Sequence, residues 1–312
     1  MKPIDKTLAA MAFLGGLFVA ALPATALDKI TLGYTAVNGN VPDWIAKDQG
    51  FFAKHGLDVE LTLMRGGNVI VPSLVSNSMQ VGTVGASTLI QAADGGIDLV
   101  ALTNLSLFAP GTKDSGVVVR NGANINTPAD LKGKRIGTST IGGISEIAFE
   151  HWLVLKGVNP KEITIVEIAY AEMPNVLKAG NLDAVLIPDP FMSAIAADGS
   201  GKILSYFYGE LGTSVPALVN ASTRAWAESH KQEVAAIRAA TEEAVAFAEA
   251  NPEKTKEIIT KTLNLKPEVT ATMLLAPMTA KIKTADLQWW LDAMNEQDRL
   301  RTKLTAARLI AP

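Results

Sequence analysis

The sequence predicts an α/β protein of two lobes, each a mostly parallel sheet flanked by helices, joined by two crossover segments. Three observations carry that expectation. Short apolar runs alternate with helical periodicity from residue 29 to residue 205, the pattern of strand and helix units in a sheet covered on both faces. The rhythm breaks twice, at SLFAPGTKDS (106–115) and at YFYGELGTSVP (206–216). Beyond the second break helices dominate without a sheet of their own, so the C-terminal part is expected to return and complete the first lobe. Lobe 1 is then residues 27–110 with 212–312, and lobe 2 is residues 111–211.

Residues 1–26 read as a secretory signal peptide. Lys2 and Lys6 form its basic region, LAAMAFLGGLFVAAL its apolar core, and Ala24-Thr25-Ala26 its cleavage site. The apolar run is too short for a span and ends at Pro23, so a periplasmic chain that does not cross the membrane after cleavage is expected. There is no cysteine, which excludes disulfides, thiolate metal sites and a lipid-modified cysteine. With 31 acidic and 28 basic residues the net charge is −3, and no basic field exists to neutralise nucleic-acid phosphates.

Strands of lobe 1 are expected at 29–34, 57–63, 80–84 and 98–105, with helices at 42–55, 69–76 and 87–94. In lobe 2, strands fall at 117–120, 134–137, 162–168, 182–187 and 202–205, with helices from 144, at 173–179 and at 190–197. A strand at 216–220 and helices at 224–250, 252–263, 267–275 and 285–303 close the chain. The longest places Val234, Ile237, Val245 and Ala248 on one stripe, the mark of a helix laid on a sheet.

The most informative stretch is IGTSTIGGISEIAFEHWLVLKG (136–157), a strand, a loop of small residues and a helix. Gly142 and Gly143 allow close approach to the backbone, and the first helical turn offers N–H donors to an anion. The alternative is an ordinary turn in which Thr138, Ser139 or Thr140 caps the helix. It is not a Walker A loop, since Ile144-Ser145 stands where Lys-Ser/Thr is required, nor a dinucleotide fingerprint.

Gly33-Tyr34, AKDQGFFAKHGLDVEL, VGTVGAST, DLKGKRIGTSTIGG, LKGVNPKEITIVEI and MPNVLKAGNLDAVLIPDPF together resemble the solute-binding proteins of ABC importers. The group is the one that serves nitrate, sulfonates, taurine and thiamine-pyrimidine precursors. The resemblance implies the two-lobed periplasmic binding protein fold, type II-like, that closes on a small molecule. It also implies a membrane permease and an ATPase as partners and a monomeric, non-enzymatic protein without cofactor. The fungal pyrimidine synthase that shares this fold depends on a cysteine-rich motif, which this chain lacks. His55, His151 and His230 lack metal-ligand spacing, and no catalytic pair is apparent.

In such folds the ligand sits beyond the carboxyl ends of the strands. That rule selects Asn38, Asn40 and Trp44 after the first strand, Arg65 and Gly66 after the second, and Ser87 and Thr88 after the third. From lobe 2 it selects Ser139, Thr140, Gly142 and Gly143, then Tyr170, Asp189 and Phe191. Each has a plainer reading: Trp44 as core, Arg65 as a surface arginine, Ser87 and Asp189 as helix caps. A guanidinium at Arg65 matches a carboxylate or sulfonate in bidentate fashion. The expected ligand is a small organic anion, a sulfonate or carboxylate, aliphatic or aromatic; the alternatives are a neutral pyrimidine, for which Asp189 and Glu172 matter more than Arg65, or an exported enzyme on the same fold.

Overall fold

The computed structural model describes residues 27–271 and 273–312; the expected signal peptide lies outside them. In chain order the first lobe contains β1 (Asp28–Tyr34), α1 (Val41–Asp48), α2 (Phe51–Lys54), β2 (Leu57–Leu63), α3 (Gly67–Val75), β3 (Val81–Gly85), α4 (Ala86–Asp94) and β4 (Leu99–Phe108). The second contains β5 (Ser115–Arg120), β6 (Arg135–Thr138), α5 (Ile144–Leu155), β7 (Thr164–Glu167), α6 (Met173–Lys178), β8 (Ala184–Pro188), α7 (Phe191–Ala197) and β9 (Gly201–Ser205). The chain then returns through β10 (Val215–Thr223), α8 (Arg224–Ser229), α9 (Lys231–Ala250), α10 (Pro252–Leu263), α11 (Pro267–Ala271) and α12 (Thr284–Glu296).

Two five-stranded sheets result, ordered β2-β1-β3-β10-β4 and β7-β6-β8-β5-β9. In each, three strands pair in parallel and one inserted strand runs against its neighbours, β10 in the first sheet and β5 in the second. The inserted strands are the ones that carry the chain between the sheets. Nothing in their composition marks them, because direction in a sheet is not a local property.

Several helices are shorter than their periodicity suggests. Gly50, with φ +74°, divides the 42–55 segment into α1 and α2, and His230 at φ −124°, ψ 50° divides α8 from α9. The 285–303 pattern stops at Glu296, after which Asp94 accepts the N–H groups of Arg301 and Thr302 at 3.0 and 2.8 Å. The segment at 267–275 is helical only to Ala271. Conversely β4 runs on to Phe108, past the expected break, because Val215 of β10 pairs opposite it.

The apolar interior follows from these layers. Trp44, Ile45 and Phe52 pack with Val234, Ile237 and Ala244 of α9 behind the first sheet. A second cluster runs from α4 and α12 into α5, joining the lobes through Leu89, Trp290, Ile147 and Trp152. Trp290 is fully buried and its indole N–H donates to the Pro216 carbonyl at 2.8 Å, which satisfies its one polar atom. Asp183 is structural, its carboxylate accepting the Arg135 N–H at 3.0 Å. Among the described residues no helix is long and apolar enough to cross a membrane.

Candidate functional site

The loops leaving the carboxyl ends of the parallel strands line a single cavity of about 500 Å³. From lobe 1 come Thr35 to Gly39 after β1, Met64 to Gly66 after β2, Gly85 and Thr88 at the β3–α4 junction, and Ser106 to Phe108 at the end of β4. From lobe 2 come Ser139, Thr140 and Gly143 after β6, Ala169 to Glu172 after β7, Pro188 and Phe191 around the end of β8, and Tyr208 after β9. The inserted strands contribute their opposite ends: Asp114 and Ser115 open β5, and Ala217 and Leu218 lie early in β10. A crevice of this size between lobes suits a small organic molecule.

Three of the helices that begin at this cavity have glycine as their N-cap: Gly66 for α3, Gly85 for α4 and Gly143 for α5. None has a capping side chain. Space decides this at two of them. A Cβ on Gly85 would stand 2.9 Å from Ile144 Cγ2, and one on Gly143 would stand 2.9 Å from the Thr140 carbonyl oxygen. First-turn N–H donors without a side-chain acceptor attract an anion. Arg65, exposed at the rim, adds a full positive charge.

The loop before α5 is less open to an anion than its sequence suggests. Glu146, buried in the first turn, accepts the Gly142 N–H at 2.8 Å, and Glu167 accepts the Ile141 N–H at 3.0 Å. Glu146 and Glu150 are in turn held by the Arg299 guanidinium, which reaches across from the segment after α12. The protein thus places its own carboxylates at that loop.

Lobe 2 otherwise presents hydroxyls, rings and acids. The Tyr208 hydroxyl donates to Ser145 Oγ at 2.7 Å, and burial pushes its pKa well up, so it stays a donor. The Tyr170 hydroxyl lies 3.5 Å from the same Ser145 oxygen. The Tyr208 ring stacks on Phe108 with centroids 3.5 Å apart, and Tyr170 stacks on Phe191 at 6.2 Å. Burial, reinforced by the charge of Asp189, pushes the Asp114 carboxyl up to about 7.

Of the residues selected from sequence, Asn38, Arg65, Gly66, Thr88, Ser139, Thr140, Gly143, Tyr170 and Phe191 line the cavity. Five do not. Trp44 is 1% exposed in the core, edge-on to Tyr34 with centroids 5.8 Å apart. Asn40 is fully buried, and its amide donates to the Thr35 and Val37 carbonyls at 2.8 and 3.2 Å, shaping the loop instead of facing a ligand. Ser87 is buried within α4. The Gly142 carbonyl accepts from Gln91 Nε2 at 2.8 Å, which turns that residue toward α4. Asp189 caps the next helix, accepting from the Ser193 N–H and Oγ at 3.0 and 2.7 Å.

Sequence reasoning missed Asp114, Ser145, Phe108 and Tyr208. Phe108, Asp114 and Tyr208 sit in the two stretches read as crossovers, and only the antiparallel course of β5 and β10 brings them to the cleft. Behind the first sheet Asp43 forms a closed ring. Asn220 Nδ2 donates to its Oδ1 at 2.8 Å, and the Thr83 hydroxyl stands 3.2 Å from Asp43 Oδ2 and 2.9 Å from Asn220 Oδ1. Thr83 has one proton to give, so the ring is complete when Asp43 is itself protonated and donates to Thr83. Burial supports this by raising the Asp43 pKa to about 7.

Comparison with known proteins places the chain. The family model described as "NMT1/THI5 like" matches residues 39–255. The "Putative binding protein YtlA" of Bacillus subtilis is 31% identical over 56% of this chain and 52% of its own length, so that match spans about half of the relative. The "Taurine-binding periplasmic protein" of Escherichia coli is 29% identical over 79% of this chain and 72% of its own. The alkanesulfonate-binding protein SsuA from Xanthomonas axonopodis pv. citri, solved bound to MOPS, superposes with a TM-score of 0.79 over 92% of this chain and 99% of that one, at 22% identity. The chain therefore belongs to the NMT1/THI5-like family and has the two-lobed fold of the periplasmic binding proteins of the nitrate, sulfonate and taurine group.

Proposed function

We propose that the protein is the non-catalytic, periplasmic solute-binding component of an ABC importer and that it captures a small organic anion, a sulfonate or carboxylate, by closing its lobes. The observation that carries the reading is the convergence of uncapped, glycine-started helices and Arg65 on one cavity. The relatives named above, called binding proteins for taurine or alkanesulfonate, support it. Size favours an organic ligand, because a bare nitrate would leave most of about 500 Å³ to water. The stacked pairs Phe108–Tyr208 and Tyr170–Phe191 offer it apolar walls. A ligand that touches both walls only in the closed form shifts the population toward that form, and a permease can read the change.

A thermal-shift screen of residues 27–312 against sulfonates, carboxylates, nitrate and pyrimidines tests this. A true ligand at a hundred times its Kd adds about 2.7 kcal/mol to stability, a shift of several degrees. Arg65→Ala should weaken anion binding about 10- to 100-fold, the worth of a charge-assisted contact, while leaving the unliganded melting temperature unchanged. A response to pyrimidines alone, indifferent to Arg65, would sink the anion assignment.

A further inference from the structure

Behind the start of α5 lies a group of charges that no part of the cavity wall contains. Glu146 and Glu150 stand one turn apart on α5, their side chains only 5% and 15% exposed, and like charges at that spacing repel. The Arg299 guanidinium answers both: its Nη2 donates to Glu146 Oε1 and, at 2.9 Å, to Glu150 Oε2. Among the described residues no other cation pairs with either acid. Arg299 comes from the other lobe, since it follows α12, which packs on α4 and β10. Its own segment holds it in place, the backbone N–H donating to the Met294 carbonyl at 2.9 Å and Nε to Gln297 Oε1 at 3.2 Å.

The group sits directly behind the wall. Gly143, Ile144 and Ser145, the residues just before Glu146, line the cavity, whereas Arg299 does not. Glu146 Oε2 also accepts the Gly142 N–H at 2.8 Å, so its charge is fixed against that loop. This side of the cleft is already acidic. Glu172 and Asp114 line it, Asp114 with an Oδ1 that has no hydrogen-bond partner among the described residues, and Glu167 holds the Ile141 N–H. Two carboxylates against one guanidinium leave a residual negative charge, and burial keeps solvent from screening it. Without Arg299 both carboxylates would stand bare behind the loop.

We propose that Arg299 is a remote positioning residue for ligand capture: from lobe 1 it offsets the charge of Glu146 and Glu150 behind the α5 loop, so that the lobe-2 wall accepts an anion that lobe 1 attracts. It acts through the two glutamates and does not touch the ligand. This rests on the anion reading above, in which Arg65 and the starts of α3 and α4 hold the charge; what it adds is that the polarity of one wall is set from the opposite lobe. An ion pair that merely tied α5 to the segment after α12 would behave differently, because removing the acids as well as the arginine could not restore a lost tie.

Calorimetry on residues 27–312 with butanesulfonate, benzenesulfonate, butyrate and benzoate tests the role. Arg299→Met should weaken the best-bound of these by about fivefold or more, and adding Glu146→Gln and Glu150→Gln to the same chain should bring affinity back to within about twofold of native, because the repelling charges are then gone. Arg299→Lys, which keeps the charge without the planar fork, should stay within about threefold. No loss in Arg299→Met, a loss that the glutamine substitutions do not reverse, or an equal loss in Arg299→Lys overturns the role and leaves the anion reading standing. Should Arg299→Met not fold, Glu150→Gln in the native chain decides: it removes one acid while Arg299 stays on Glu146, and it should raise affinity about threefold, whereas an unchanged or weaker affinity overturns the proposal. If the native protein binds none of these anions, that reading and this one fall together.

Discussion

The two walls of the cleft are built on the same sheet order, and they differ in charge. Lobe 1 offers Arg65 and the starts of α3 and α4, with no acid of its own at the cavity. Lobe 2 offers one glycine-started helix of its own, α5, but sets Glu146 against its loop and adds Asp114 and Glu172 to the wall. Repeating a topology thus repeats the position of the loops, and the side chains then give each wall its own polarity. The lesson is that a helix N-terminus is an anion site only where the fold has not already supplied the anion.

The largest expected effect is one of pH, and each lobe carries one group that produces it. Asp43 behind the first sheet and Asp114 at the second both have pKa values raised from 3.8 to about 7 by burial. The folded state binds these protons more tightly than the unfolded chain, so stability is greatest at low pH within this window and falls as pH rises from about 4 through about 7. A full shift is worth on the order of 4 kcal/mol per group. Melting temperatures at pH 5 and pH 8 should show the drop. Asp43→Asn and Asp114→Asn should each remove part of it, and a slope unchanged in both variants would mean that neither carboxyl carries it.

Next in size is Glu146→Ala. It leaves the half-buried Arg299 with Glu150 alone and opens the Gly142 amide, at a cost of about 3 kcal/mol in denaturant unfolding. It should also make lobe 2 more like lobe 1, raising affinity for a simple divalent anion such as sulfate. A stable variant with unchanged anion preference would break the contrast drawn between the walls.

The smallest is Gly85→Ala, where the new methyl would stand 2.9 Å from Ile144 Cγ2 across the seam between the lobes. Overpacking of this kind costs about 1 kcal/mol, and because the contact joins the two lobes it should appear as a several-fold loss of ligand affinity. Ile144→Ala in the same chain, which removes that Cγ2, should restore part of the affinity. A loss of stability alone would place the strain inside lobe 1.

Much of this protein is legible in its residues because the signals are local. Alternating apolar runs located every strand, and the loops after Tyr34, Leu63, Gly85 and Thr138 were found because βα turns of polar and glycine residues mark strand ends. Arg65 and Thr88 reach the cavity for that reason. Trp44 and Asn40 come from the same loop and do not, since their directions depend on how α1 packs beneath α9 and how the loop folds on its own carbonyls. Helix ends at Gly50 and His230 were hidden because the apolar stripe runs on past both breaks.

The sequence by itself determined the α/β alternation, the two lobes' worth of strands and the loops that meet a ligand, because each rests on periodicity and turn chemistry within a few residues. Only the tertiary structure decided which donors are left for that ligand. Whether Glu146 fills the α5 loop, whether Asp114 stands unpartnered, and whether Asp189 looks outward or caps α7 depend on partners far away in the chain: Arg299, β5 against β8, and the antiparallel return of β10. Satisfaction of a buried polar group is a property of everything around it, and no stretch of sequence contains that neighbourhood.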